Sequence, residues 1–327
     1  MMLTVVLATA ATPQPGATGG LVKGKVLCED TQGPARRAYI SLRVPMKPGG
    51  YMPSGGFGAQ ADLDGSFTIS DVTPGEYYVV AVYPGYINAN EYIFPNALSP
   101  ELSGSREPLP PFVQRITVAS RDTVNTEIRL MKGGSISGSV TYSNGAPIPN
   151  VALNAVVKMN NGTFGRFGSP AHSDGAGKYR IDGLPDGSYA LFSAVDSDVL
   201  TTFAGGGARA SKGRLVVVTS PNESEGVNIT IPLTGGHEIA GIVSAPDGNR
   251  LNHALVRLYP TGEPFLSLAT LLAADGTFSF HRVPPDSYTV KCCFDEHTLV
   301  PTGTGTVDVM VDDADIANVS VTVSPTH

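Results

Sequence analysis

The chain contains no tryptophan, only three cysteines among 327 residues, and only 16% charged residues. Three thiols cannot all pair and no Cys-x-x-Cys spacing occurs, so disulfides do not hold the fold together and zinc or redox sites lack a motif. Cys292 and Cys293 are neighbours, and on a strand their side chains point to opposite faces. We therefore expect one buried and one exposed thiol at this position.

Basic stripes and long apolar runs are also missing. The formal net charge is −7, and the acidic excess lies in residues 235–327, which hold 4 basic and 11 acidic side chains. A chain without a basic stripe has no electrostatic footprint for phosphate backbones. Nothing after the N-terminus approaches the roughly 18 consecutive apolar residues of a membrane-spanning helix. We expect no nucleic-acid partner and no transmembrane segment.

The N-terminal residues 1–20 resemble a secretion signal without its front. Residues 1–11 are mostly apolar, and Ala8-Thr9-Ala10 fits a small-residue cleavage site, but a basic leading segment is missing. We interpret 1–20 as a signal-peptide remnant or disordered leader. This predicts an extracytoplasmic location, which means secreted, periplasmic or at the cell surface.

One pattern occurs three times: a glycine turn, an aromatic residue two positions later, and a proline turn that leads into tyrosine. The tyrosine always follows the turn glycine by twelve residues. A glycine turn supplies the positive φ angle of a tight hairpin, and the alternation after it predicts a half-buried strand. We predict that each copy centres on two hairpin-linked strands and that the tyrosines point into a core. The motif residues are Gly65, Phe67, Tyr77, Gly177, Tyr179, Tyr189, Gly276, Phe278 and Tyr288.

The repeat divides the chain into three modules. Each module opens with an alternating strand that contains a glycine (Gly24, Gly138 or Gly241) and continues through about seven short strands, which is typical of a β-sandwich. The predicted modules are 21–132, 133–234 and 235–327. Because the glycine-containing joints between them are short, we expect the modules to stand end to end as a semi-rigid rod. We expect the protein to be a monomer.

These features resemble carboxypeptidase regulatory-like domains, which are transthyretin-like β-sandwiches. The resemblance rests on the glycine of the opening strand, the Gly145-Ala146-Pro147 turn and the repeated glycine–aromatic and proline–tyrosine elements. It covers nearly the whole chain and implies an all-β protein of three tandem seven-stranded Ig-like sandwiches in a row, non-catalytic and grouped with starch-binding-like sandwiches. Two departures stand out: an extra Asp174-Gly175-Ala176 before Gly177, and a Pro-Pro-Asp-Ser turn without glycine in the third module.

Catalytic and metal-binding patterns are not found in the sequence. No internal histidine is followed by glutamate three residues later, and neither a Gly-x-Ser-x-Gly nor a P-loop lysine motif occurs. Asp62 and Asp64 are spaced like calcium ligands, yet Thr73 stands where an EF-hand needs glutamate, which favours a turn role. We predict no catalytic residue, metal or cofactor, and a solvated turn for the carboxylates Asp308, Asp312, Asp313 and Asp315.

An internal Lys–Asn isopeptide crosslink occurs in similar surface sandwiches of the Cna protein B type. The bond would need a buried lysine such as Lys25, an asparagine such as Asn125 and a core carboxylate. The sequence offers no clear candidate for the carboxylate and does not favour the crosslink.

Long loops in the first two modules, 45–60, 84–113 and 158–172, are the strongest candidates for binding, because rigid sandwiches carry function on their loops. Aromatic rings there can stack on sugars or hold an apolar strip of a partner protein. The alternative is that these rings pin each loop onto its own sandwich. The candidate residues are Tyr51, Phe57, Tyr86, Tyr92, Phe94, Phe164 and Phe167.

The sequence therefore predicts a non-enzymatic, exported protein that acts as a structural, presentation or protein-interaction scaffold at the cell envelope. Its expected partner is a cell-envelope protein or polysaccharide. The alternative is a carbohydrate-binding protein that uses the aromatic loops of the first two modules, and the lack of tryptophan, which offers the largest stacking face, opposes it.

Overall fold

The computed structural model describes residues 19–45, 56–90, 112–159, 162, 164–194, 202–246, 254–264, 266–294 and 303–325. Its regular elements with described bounds are all β-strands, which confirms the all-β prediction. In chain order they are β1 (Gly20–Cys28), β2 (Tyr39–Arg43), β3 (Gly58–Gln60), β4 (Ser66–Val72), β5 (Gly75–Val82), β6 (Gln114–Val118), β7 (Thr123–Leu130), β8 (Gly134–Tyr142), β9 (Ala152–Lys158), β10 (Phe164–His172), β11 (Lys178–Leu184), β12 (Gly187–Ala194), β13 (Thr202–Phe203), β14 (Leu215–Val218), β15 (Glu223–Ser224), β16 (Ile229–Ile231), β17 (His237–Ser244), β18 (Leu255–Pro260), β19 (Leu268–Leu271), β20 (Thr277–Val283), β21 (Asp286–Phe294), β22 (Gly303–Val311), β23 (Ile316–Thr322) and β24 (Ser324–Pro325).

The chain forms two compact units. Among the described residues, the first unit contains 19–45, 56–90 and 112–132, and the second contains everything from residue 133 onward. The predicted modules 133–234 and 235–327 therefore lie together in the second unit.

The first unit is a sandwich of two sheets. One sheet has the order β4-β1-β7 and the other the order β3-β2-β5-β6. In the first sheet β1 runs antiparallel to β4 and parallel to β7. A single core cluster joins both sheets, with Val22 of β1, Phe67 of β4 and Val79 of β5 all buried.

The same strand order occurs twice more in the second unit. The first pair of sheets there is β11-β8-β15, with β16 also on β8, and β10-β9-β12-β13, with β14 also on β12. The second pair is β20-β17-β23 and β19-β18-β21-β22-β24. In both, the opening strand pairs in parallel with a closing strand, β16 or β23. Each pair of sheets encloses its own core cluster.

The predicted central hairpin is wrong. β4 and β5 lie in different sheets, as do β11 and β12, and β20 and β21, so the proline turn carries the chain across the sandwich. Before the turn, Asp71, Gly183 and Arg282 adopt left-handed φ angles of 55°, 75° and 56°. Pairing with the opening strand shifts register at these positions, which is the geometry of a β-bulge. Turn residues specify a reversal of the chain but not whether the flanking strands pair.

The glycine of each opening strand allows a close approach of the backbone. A Cβ on Gly241 would lie 2.0 Å from the carbonyl oxygen of Val319 on the parallel strand β23. Phe278 stands directly opposite Gly241 on β20, and at the equivalent pair of the first module the ring of Phe67 lies 2.7 Å from the Cβ position of Gly24. The same cross-strand pairs occur in the other copies, between Gly24 and Phe67 and between Gly138 and Tyr179.

The three motif tyrosines are buried, as predicted, and each closes the turn before it. The hydroxyl of Tyr189 donates a hydrogen bond of 2.9 Å to the carbonyl of Pro185, four residues earlier. Tyr288 does the same to Pro284 at 2.8 Å, and Tyr77 to Thr73 at 2.8 Å. This is the tyrosine-corner geometry of Ig-like sandwiches.

The prediction of one exposed thiol is wrong, because Cys292 and Cys293 are both buried. Cys292 belongs to the core, whereas Cys293 lies on the opposite face of β21 and is 8% exposed. β21 lies between β18 and β22, and the residues opposite Cys293, Leu255 and Thr304, share its face of the sheet.

Candidate functional site

The candidate aromatic residues that the structure describes pack against their own sandwiches. The prediction of a loop over 158–172 is wrong, because Phe164 and Phe167 lie on strand β10, which pairs with β9. Phe57 contacts Tyr77 and Phe167 contacts Tyr189, each edge-on with ring centroids 6.0 Å apart. Phe164 packs against a buried cluster that contains Phe192. The remaining candidates Tyr51, Tyr92 and Phe94 lie outside the described residues.

Tyr86 anchors its loop through its ring and its hydroxyl. The hydroxyl donates a hydrogen bond of 2.8 Å to Asp30, and the ammonium of Lys132 lies 4.7 Å from the ring centroid. Burial raises the pKa of Tyr86, and hydrogen bonds with Cys28 and Asp30 raise it further. Tyr86 is only 8% exposed and therefore holds the start of the loop after β5 against the residues that follow β1.

Loops of the first two modules cover a second apolar layer outside the larger sheet. On β5, Tyr78 and Val80 face away from the main core and cluster with loop residues Ile87, Phe112 and Val113. On β12, Ala190 and Phe192 cluster in the same way with Phe203 of β13 and Ala210 of the loop after it. The sequence signal, which our prediction missed, is the unbroken apolar run 77–82, because a strand buried on both faces loses its alternation.

The loop between β13 and β14 also reaches the third module through Arg209. Its guanidinium donates to the carbonyl of Thr261 at 2.6 Å and to the carbonyl of Ser287. Its Nε lies 2.9 Å from a carboxylate oxygen of Asp286. The side chains of Arg209 and Asp286 are only 12% and 8% exposed, so this ion pair is largely removed from water.

Glu263 completes the same contact from the third module. Its two carboxylate oxygens accept the backbone N–H groups of Ala210 at 2.7 Å and Ser211 at 3.1 Å. Residues 209–213 form one helical turn, in which the Gly213 N–H donates to the Arg209 carbonyl at 3.0 Å. The first N–H groups of such a turn have no partner within it, and a carboxylate is well suited to cap them.

Ion pairing and apolar packing support this contact, which we call the clasp (Arg209, Ala210, Ser211, Lys212, Glu263 and Asp286). Burial by itself raises the pKa of Asp286, but hydrogen bonds from the Ser287 N–H and Lys212 and the charge of Arg209 outweigh it, so the pKa is lowered. The Lys212 ammonium lies 3.1 Å from Asp286. Leu266 of the third module joins the apolar layer on β12, and Ala208 joins the core of the third module.

A second contact braces the joint 234–236. The guanidinium of Arg282 donates to the carbonyls of Pro232 at 2.7 Å and Leu233 at 3.2 Å. These carbonyls lie between β16 and the joint, so the third module binds the segment that leads into it. Neither the clasp nor this contact was predicted from the sequence.

The acidic turns have structural roles. One carboxylate oxygen of Asp64 accepts both the N–H of Ser66 at 3.0 Å and its hydroxyl at 2.7 Å, and these bonds lower the pKa of Asp64. Asp174-Gly175-Ala176 do not lengthen the second-module turn. The Asp174 N–H donates to the carbonyl of Lys178 and the Asp62 N–H donates to the carbonyl of Ser66, so the two turns have the same length. Among the described residues, no group of three or more histidine, cysteine or acidic side chains is arranged to hold a metal ion.

The residues considered for an isopeptide crosslink do not meet. Lys25 and Asn125 are both exposed. On the paired strands Lys25 stands opposite Glu127, and Asn125 stands opposite Lys23. The condition of a buried lysine is therefore not fulfilled at Lys25.

No protein-family model matches the chain, and no curated protein matches it. Among solved structures, the Bacillus anthracis TIE protein matches at 13% identity and a TM-score of 0.23, covering 94% of this chain and 51% of that protein, so this chain spans about half its length. A streptococcal ancillary pilin matches at 11% identity and a TM-score of 0.26, over 94% of this chain and 100% of the pilin. The major pilin SpaD of Corynebacterium diphtheriae matches at 8% and 0.25, over 97% and 100%. At these values the likenesses carry no argument about this chain.

Proposed function

We propose that the chain is a non-enzymatic scaffold of the cell envelope, which presents or spaces partner proteins on a rigid body made of its second and third modules. The observation that carries this function is the clasp, in which buried polar groups join two sandwiches. Neighbouring domains move relative to each other by default unless their interface is strong. A scaffold that fixes the distance between partners needs such an interface.

The loops support the same function. Phe57, Tyr86 and Phe167 consolidate the sandwiches to which they belong, and Phe203 and Ala210 fill the layer next to the clasp. Residues of a binding or catalytic site must instead stay available to a ligand. The described candidate rings therefore support the packing of the first and second modules.

The envelope location rests on the signal-like residues 1–20. Within the described residues, the structure contains no helix with the length and apolar character needed to cross a membrane. Cell fractionation of the full chain with a C-terminal tag tests the location. We expect the tag in the extracytoplasmic fraction and accessible on intact cells or spheroplasts, and retention in the cytoplasm would overturn this part of the function.

Rigidity can be measured separately with spin labels. All three native cysteines are buried, so cysteines introduced at the exposed positions Ser169 of β10 and Thr306 of β22 can be labelled selectively. Double electron–electron resonance should give one narrow distance distribution between the labels. Glu263→Gln should broaden it, whereas Glu76→Gln, the same change at an exposed residue of the first unit, should not. A broad distribution in the otherwise unchanged chain would contradict the scaffold.

Carbohydrate binding remains the competing outcome. A glycan array with the full chain and with Tyr86→Ala and Tyr92→Ala distinguishes it from the scaffold function. The proposal expects no saturable sugar binding, since the described candidate rings pack against their own sandwiches. If the unchanged chain binds a sugar saturably and both variants abolish this binding, carbohydrate binding replaces the scaffold function.

A further inference from the structure

We propose that the third module carries a docking site for a basic peptide turn, and that this site holds its ligand without a covalent connection. The site, which we call the acidic rim, consists of the carboxylates of Glu263 and Asp286 and the carbonyls of Thr261 and Ser287. Its ligand in this structure is the turn 209–212 of the second module. The proposal goes beyond the scaffold function and does not depend on the location of the protein.

Each polar group of the turn has a partner in the acidic rim. The terminal nitrogens of the Arg209 guanidinium donate to two carbonyls, and a carboxylate oxygen of Asp286 lies 2.9 Å from its buried Nε as an ion pair without a hydrogen bond. Glu263 takes the two free N–H groups of the helical turn, and Asp286 also binds the ammonium of Lys212. The fitting ligand is thus a peptide with arginine and, three residues later, lysine, folded as one helical turn.

The third module departs from the repeat at Asp286, one of the residues of the acidic rim. Two residues before the motif tyrosine, the first and second modules have Gly75 and Gly187, and the third has Asp286. The Pro-Pro-Asp-Ser turn keeps the tyrosine corner, since Tyr288 still binds the carbonyl of Pro284. Besides accepting the N–H of Ser287 within the turn at 2.8 Å, the Asp286 carboxylate forms ion pairs with Arg209 and Lys212.

Both carboxylates of the acidic rim are buried while the turn is bound. Glu263 is 6% exposed, and the side chain of Asp286 is 8% exposed. Removing one partner of a buried ionic contact leaves the other unpaired in a poorly solvated place, which is far more costly than losing an exposed pair. Substituting one partner of the rim should therefore weaken docking far more than the same substitution in an exposed ion pair.

A cleavable joint tests the proposal on the full chain. A recognition sequence for a site-specific protease is inserted between Thr234 and Gly235, which are both exposed, and the purified protein is cut there. We expect the two fragments to elute together in size-exclusion chromatography and to appear as one complex in native mass spectrometry. Separation of the fragments at micromolar concentration would overturn the proposal.

Variants of the cleavable chain assign the binding to the rim. Arg209→Ala and Glu263→Gln should weaken the association of the cut fragments about a hundredfold or more. Glu76→Gln, the same chemical change in an exposed ion pair, should leave it unchanged. Circular dichroism of the uncut variants separates weaker docking from failure to fold. If either rim variant folds and its fragments associate as tightly as the unchanged pair, the rim is not the docking site.

A peptide competitor gives a readout that requires no substitution in the protein. A synthetic peptide with the sequence of residues 205–214 should release the second-module fragment from the cut chain in a concentration-dependent way. The same peptide with alanine in place of Arg209 and Lys212 should not release it. Equal release by both peptides would exclude recognition of the basic side chains.

Discussion

The alanine substitution of Gly241 tests the close approach of the opening and closing strands. The added Cβ would lie 2.0 Å from the carbonyl oxygen of Val319, about 1 Å inside the closest distance that real Cβ atoms show. The obstacle is backbone, so no side chain can rotate away. Relief requires β17 and β23 to separate by about this distance around the paired residues Gly241 and Val319.

A separation of this size breaks two or three ladder hydrogen bonds, each worth about 1 kcal/mol net, so we expect a loss of about 3 kcal/mol. Domains are stable by only about 5–15 kcal/mol, so the change is a large fraction of the total. With a urea slope of about 1–3 kcal/mol/M, the unfolding midpoint of the second unit should fall by about 1–3 M. Circular dichroism is the suitable probe, because the chain lacks tryptophan.

Gly175→Ala is the matched control. A Cβ on Gly175 meets nothing within 4 Å, and its φ angle is not in the left-handed region. Replacing glycine at such a site restricts the unfolded chain and stabilises by about 0.4–1 kcal/mol. Equal midpoints for the two variants, or a raised midpoint for Gly241→Ala, would refute the explanation by close approach.

Three further sites can be tested by substitution, namely the tyrosine corner at Tyr189, the clasp at Asp286 and the loop contact of Tyr86. Tyr189→Phe removes a buried hydrogen bond to Pro185 and should destabilise the second unit by about 1–2 kcal/mol, whereas Tyr39→Phe, at a 54% exposed site, should stay within about 0.5 kcal/mol. Asp286 has a lowered pKa, so its carboxylate stabilises the fold above the ordinary value of 3.8, and this contribution disappears as the pH falls through the lower folded pKa. Urea midpoints between pH 2 and about 7 should therefore fall less steeply with acid in Asp286→Asn than in the unchanged chain, and parallel curves would contradict it. Tyr86→Ala should cost the first unit about 3–5 kcal/mol, and Tyr86→Phe only the hydrogen bond to Asp30, as calorimetry of both variants can check.

The repeated residues made the cores predictable. Phe67, Tyr179 and Phe278 are all buried, as their spacing from the turn glycines indicated. The recurrence of Gly24, Gly138 and Gly241 also signalled a special role, but the cause is a carbonyl of the closing strand, or of the residues just before it, far away in the sequence. Local patterns show which side chains face inward, and they cannot show which distant backbone comes close.

Neither the pairing of the central strands nor the clasp could be predicted from local sequence patterns. A proline turn is compatible with a hairpin and with a crossing between sheets, and only the register shift at residues such as Gly183 distinguishes them. The clasp joins Arg209 to groups more than fifty residues away. Its one visible trace is Asp286 in a place where the other copies have glycine.

The parallel pairing of opening and closing strands determines how each sandwich responds to a pulling force. Because β1 and β7 run in the same direction, the chain enters at one end of the strand pair and leaves at the other. Tension between these ends slides the strands along each other, and all eight paired positions from Leu21 to Cys28 share the load in shear. β17 and β23 have the same arrangement. Stretching would therefore load all hydrogen bonds of such a ladder at the same time, whereas an antiparallel pair of terminal strands would lose its hydrogen bonds one after another.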